Sequence, residues 1–194
     1  MQTLKVREKK VSVHTYNYDN IIEFLNITKD ILENPTVKQM KNFRQHYDCS
    51  CYEHCLEVAY WSYLFCKKYG WDYVSAARGA MLHDLFLYDW RGSKKKLHLK
   101  HFHAFLHPQI ALYNAEKLFN LNDKEKDIIV KHMWPVTPQF PRSKEGFILT
   151  FIDKYCALAE AIKVLKKNIH KKKVWRYAYI FLAMIVLKIN KGNN

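Results

Sequence analysis

Six ionisable side chains interrupt apolar stretches of this sequence, and their types are those that bind cations and move protons. His54 lies on the helical face of Val58, Trp61 and Phe65, and His83 and Asp84 fall within Met81-Leu82-His83-Asp84-Leu85-Phe86. His107 precedes Pro108, His132 sits in Val130-Lys131-His132-Met133, and Asp153 is embedded in Phe151-Ile152-Asp153-Lys154-Tyr155. An ionisable group on an apolar helix face costs several kcal/mol unless it is paired or bound to a metal. Four histidines and two aspartates in such settings can satisfy one another by sharing cations, and imidazole and carboxylate suit Mn, Fe, Zn and similar divalent ions. Any one of them reads equally well as a satisfied core or surface residue. Their order along the chain is what sets the group apart.

The elements that must carry them are helices. Five Gly and five Pro among 194 residues leave too few turns for an all-β chain, and 49% hydrophobic with 26% charged residues excludes a mostly disordered one. Asp19 to Asn34 has helical apolar periodicity and a stop at Pro35; Ser50 to Tyr69 opens on a Ser50 cap with Glu53 three residues on and ends at Gly70. Asp72 caps a third helix running to His83. Leu87 to Leu99 reads as an exposed loop, and Pro108 opens a helix through Phe119, since proline fits a first turn. Asp123 to Met133 is the next helix, closed by Pro135, and Pro135, Pro138 and Pro141 keep the following stretch irregular. Glu145 to about Asn168 is a long amphipathic helix, and a lysine-rich stretch, Lys166 to Lys173, separates it from a final one. The expected fold is all-α: a single domain over residues 1–194, a helical bundle of about seven helices, with no convincing strand.

The order His, His-Asp, His, His, Asp on successive helices resembles the HD superfamily of metal-dependent phosphohydrolases. The resemblance covers roughly Phe43 to Ala161 and leaves residues 162–194 as a basic and apolar C-terminal helical extension. The best local matches are Glu53-His54-Cys55-Leu56-Glu57-Val58-Ala59, Ala80-Met81-Leu82-His83-Asp84, Leu106-His107-Pro108-Gln109-Ile110-Ala111 and Ile152-Asp153-Lys154. The resemblance implies that His54, His83, Asp84 and Asp153 bind one metal. It further implies that His107 and His132 add a second, bridged by Asp84. The ions implied are one or two of Mn, Fe, Co, Zn or Mg.

The implied chemistry is metal-dependent phosphohydrolysis of a phosphoester or phosphoanhydride bond in a phosphorylated small molecule, a nucleotide above all. A pair of divalent ions activates a water for in-line attack and spreads the developing charge. No nucleophile elbow or glycine-rich phosphate loop is present, in keeping with such a reaction. Lys154 and Arg91 are the expected phosphate contacts beside the catalytic Asp84, with Arg44, His46, His101 and His103 as further basic candidates. Some relatives of this ligand order cleave diadenosine polyphosphates and others cyclic dinucleotides. The Gly-Tyr-Pro signature of the second group is absent, Met133-Trp134-Pro135 standing in that region, and Leu85-Phe86-Leu87 occupies the place of a lysine found in some of the first.

Net charge of +14 draws polyanions without choosing among them. Two other classes therefore stay open. The same superfamily contains di-iron oxygenases built on nearly the same six ligands. A nucleic-acid-binding module would use Lys94-Lys95-Lys96 and Lys166 to Lys173, although most aromatics fall at helical core spacing and no binding motif is present. The five cysteines are an odd number without a second cluster, which reads as free thiols in a reducing cytoplasm. Met1-Gln2-Thr3-Leu4-Lys5 leads into charge, unlike a signal peptide. The apolar run Tyr177 to Leu187 is too short to span a bilayer and reads as a buried C-terminal helix, with an interfacial or oligomer-forming helix as the alternative.

Overall fold

A computed structural model describes residues 18–46, 49–90 and 103–170. Arg91, His101, Lys94 to Lys96, Lys171 to Lys173 and the run Tyr177 to Leu187 lie outside the described residues. Helix α1 spans Tyr18–Glu33 and a single turn α2 spans Pro35–Lys38, followed by a 3₁₀ turn, Gln39–Asn42. Then come β1 (Arg44–His46) and β2 (Cys49–Ser50), α3 (Cys51–Lys68), α4 (Tyr73–Leu82), α5 (His103–Leu118), α6 (Asp123–Lys131) and α7 (Lys144–His170). The described residues thus hold seven α-helices and one small antiparallel ribbon, an all-α bundle, in which Arg44 faces Ser50 and His46 faces Cys49. No helix among the described residues is long and apolar enough to cross a membrane.

Local chemistry explains most boundaries. Ser50 caps α3 by accepting from the Glu53 N–H at 3.2 Å, while Glu53 accepts from the Ser50 N–H at 3.0 Å. The same helix ends on Gly70 at φ 64°, with the Trp71 N–H donating to the Cys66 carbonyl at 2.8 Å and the Gly70 N–H to that of Lys67 at 3.2 Å. Asp72 caps α4 through the Ser75 N–H at 3.0 Å.

Two expectations need correction. Helix α5 begins at His103, so Pro108 lies inside it rather than opening it. Its missing N–H forgoes one bond, to the Ala104 carbonyl, and the extra turn in front places His103 beside His107. The ribbon was not expected at all, because strands of two and three residues are too short to show alternation.

The bundle packs around α3 and α4, with α7 laid across both and α6 wedged between α4 and α7. Val58, Ala59 and Tyr63 of α3, Ala77, Ala80 and Met81 of α4, Ile128 and Ile129 of α6 and Leu149 of α7 are buried in one core. Each large aliphatic side chain among them contributes roughly 1.5–3 kcal/mol by leaving water. The alanines of α4 let its neighbours approach closely, and Gly79 carries this furthest. A Cβ there would lie 2.9 Å from Ile128 Cγ2 and 3.1 Å from Ile128 Cβ. Replacing a helical glycine by alanine normally gains about 0.5–1 kcal/mol, whereas overpacking a core costs about 1–3 kcal/mol. The second effect is expected to win. Gly79→Ala should lower the thermal midpoint, measured by circular dichroism, and an unchanged or raised midpoint would show that α4 and α6 can part at no cost.

Candidate metal centre

The helices deliver the six predicted residues to one place. His54 comes from the first turns of α3, His107 from α5 and Asp153 from α7, while His83 and His132 cap the C-terminal ends of α4 and α6. Asp84 follows directly on His83. All six are buried, from fully enclosed His54 and His83 to Asp153 at 8% exposed. His54 Nε2 lies 3.0 Å from Asp153 Oδ1, and His83 Nε2 lies 3.8 Å from the same oxygen. Asp84 stands between two sets of imidazoles: Oδ2 is 3.4 Å from His83 Nε2, whereas Oδ1 is 3.1 Å from His107 Nε2 and 3.4 Å from His132 Nε2.

Ring orientation follows from what holds the far nitrogen. His83 Nδ1 lies 2.6 Å from the Ala80 carbonyl, His107 Nδ1 3.0 Å from that of His103, and His132 Nδ1 2.8 Å from that of Ile129. A carbonyl oxygen only accepts, so each Nδ1 carries a proton and each Nε2 faces inward, where a cation or a second proton completes it. The Nε2 atoms of His107 and His132 meet at 2.8 Å, two acceptors face to face unless a cation or proton sits between them. His83 Nε2 and Asp84 Oδ1 are buried with no hydrogen-bond donor. Imidazoles and carboxylates gathered around one small volume are the donor set divalent cations take once the rings give up their inner protons. His54, His83 and Asp153 could hold one ion, as could His83, Asp84 and His132. The C-terminal ends of α4 and α6, where His83 and His132 sit, add the negative poles of two helix dipoles.

The electrostatics agree. Burial works against the charge of Asp84 and Asp153, but the surrounding imidazoles outweigh it and hold both carboxyls well below the ordinary aspartate range. Burial also pulls the His54 imidazolium down, yet Asp153 and Glu160 overcome it and hold its pKa up at about 10. Burial works against the His83 imidazolium as well, yet Asp84 holds its pKa well above the usual imidazole range, so protons on His54 and His83 balance the carboxylates at the places cations would take.

Of the other expected residues, Lys154 reaches the cluster: its Nζ donates to the His132 carbonyl at 3.0 Å and lies 3.5 Å from Asp153 Oδ2. Arg44 is exposed on β1, lining a shallow pocket with Lys41, Ser50, Tyr52 and Glu53 rather than the cluster. His103 is half-buried beside the cluster. It stacks between Trp90, at 5.3 Å and 11°, and His107, at 4.6 Å and 20°, and burial followed by His107 pulls its pKa down to about 4. The Tyr88 hydroxyl meets its Nδ1 at 3.0 Å, so His103 is an uncharged support for the His107 ring.

Two residues escaped the sequence reading. Gln45, on β1, donates its side-chain N–H to Asp84 Oδ2. Glu160 accepts from His54 Nδ1 at 3.2 Å. The second was legible, because position 160 lies two turns beyond Asp153 on the same face of α7; nothing in the sequence marks the first.

Compared with known proteins, the chain matches the HD domain family over residues 51–158, a span that contains all six clustered residues. Gln45 and Glu160 fall outside it. Comparisons with curated proteins and with solved structures give no match.

Proposed function

This chain belongs to the HD superfamily of metal-dependent phosphohydrolases, and from that premise we propose that it hydrolyses a phosphoester or phosphoanhydride bond of a nucleotide-type substrate. The reading rests on one observation above the others: six ligand-type side chains from five separate helices or helix ends share one buried cluster, with imidazole lone pairs and carboxylates turned toward one another. His54, His83, Asp84 and Asp153 would hold one divalent ion, and His107 and His132, with Asp84 between the sets, a second. When bound, such ions lower the pKa of a water toward neutrality and offset charge on a phosphoryl oxygen.

The chain's own residues do the rest. Three backbone carbonyls and Glu160 fix the imidazoles, so no ligand has to reorient when substrate arrives. Gln45 holds one oxygen of Asp84 and limits its rotation. Lys154, part-exposed at the edge of the cluster, offers an ammonium to a non-bridging phosphate oxygen. Arg91 is proposed for a similar role, and the +14 net charge favours the approach of an anionic substrate.

Lys154→Ala is expected to lower kcat/KM about 100-fold, the scale of losing one well-placed charge-stabilising donor, with bound metal unchanged. A parallel loss of metal would reassign Lys154 to holding Asp153 in place. The reading as a whole is tested by screening nucleotides and phosphate esters with Mn, Fe, Co, Zn and Mg, with products measured by mass. Phosphate-ester cleavage with any of these supports it; oxygen consumption with iron and no phosphate release would move the chain to the di-iron oxygenases.

A further inference from the structure

One imidazole of the four is held differently. His83, His107 and His132 each lean on a neutral backbone carbonyl, whereas His54 leans on a carboxylate, with its Nδ1 3.2 Å from Glu160 Oε1. Glu160 is 6% exposed, with His54 and the Cys49 thiol beside it. A buried carboxylate is costly unless its charge is used. The position is also fixed, because one helix, α7, carries both Glu160 against His54 Nδ1 and Asp153 against His54 Nε2. Glu160 therefore approaches the ring from the side away from the cluster and cannot be a ligand through that contact. Nearby Cys49 brings no competing charge: burial and then Glu160 push its thiol up to about 12.

A hydrogen bond to a charged acceptor is roughly twice as strong as one to a neutral carbonyl, and a carboxylate behind a ligating histidine raises the basicity of the nitrogen facing the metal. Granting the metal centre proposed above, on which this step rests, we propose that Glu160 is a positioning residue that makes the metal position at His54, His83 and Asp153 the tighter of the two. The ions would then load in order, first beside His54 and afterwards between Asp84, His107 and His132.

The test is a titration of metal-free, full-length protein with Co²⁺, followed by visible absorption and calorimetry. Wild type should bind in two separable steps. Glu160→Ala should weaken the first step by about 10–100-fold, the usual effect of losing such a supporting carboxylate, and leave the second unchanged. Glu160→Gln, which keeps the shape and an acceptor oxygen without the charge, should fall between, and it decides the matter if the alanine variant fails to fold. Nitrogen-15 shifts of the histidine rings give an independent readout: the His54 Nδ1 signal should move between wild type and Glu160→Ala, while those of His107 and His132 stay in place. Equal weakening of both steps, or an unmoved first step, would overturn the inference while the metal centre stands. Wild-type protein that takes up no metal would instead bring down the reading on which it rests.

Discussion

Asp84→Ala should leave the protein with neither metal and with turnover reduced by at least on the order of 1,000-fold, beyond the loss that follows removal of a single charge-stabilising donor. Among the described residues, Asp84 is the one carboxylate whose two oxygens face different sets of imidazoles, Oδ2 toward His83 and Oδ1 toward His107 and His132. Deleting it leaves those buried histidines without their shared anion and leaves the Gln45 amide without an acceptor. Asp84→Asn separates charge from shape: it retains the volume and should be nearly as inactive. Metal content by mass spectrometry and turnover on the best substrate from the screen check both variants, with circular dichroism to show that they fold. Two ions still present in the alanine variant would end the assignment of Asp84 as a bridge.

Removing the metals from the wild-type protein should cost a large part of its stability. Without cations, the Nε2 atoms of His107 and His132 oppose each other at 2.8 Å, and buried acceptors on His83 and Asp84 find no donor. A ligand present at 100 times its Kd stabilises the fold by about 2.7 kcal/mol, so two such ions give roughly 5 kcal/mol. At about 2–4 °C per kcal/mol for a chain of this size, the chelated protein should melt roughly 10–20 °C below the loaded one. Scanning calorimetry with and without chelator measures the gap. Coincident melting curves would mean that the cluster binds no cation in the folded state.

Much of this architecture was readable as letters because helix ends have local chemistry. The Ser50–Glu53 box, the Asp72 cap and the glycine stop at position 70 each depend on a few neighbouring residues, and all three form as expected. The meeting of His54, His83, Asp84, His107, His132 and Asp153 was legible through their order, since burying each helix's apolar face also buries the ionisable residue on it. What failed to show depends on distant partners. Pro108 has a first-turn preference that says nothing against a helix beginning one turn earlier. His103 reads as one basic candidate for phosphate contact among several, and only the fold shows it stacked between Trp90 and His107. Glu160 has a spacing from Asp153 that puts both on one face of α7, but only its meeting with His54 of α3 shows what that spacing serves.

The carbonyl anchors of His83, His107 and His132 have an evolutionary consequence. A main-chain oxygen is present whatever amino acid occupies positions 80, 103 and 129, so sequence drift there cannot erase the hydrogen-bond acceptors of these three rings. The fourth ring hangs on a side chain. Among the four, His54 is the one whose ring hydrogen bond a substitution outside the ligand set can remove, giving selection a handle for adapting the centre to a different ion supply.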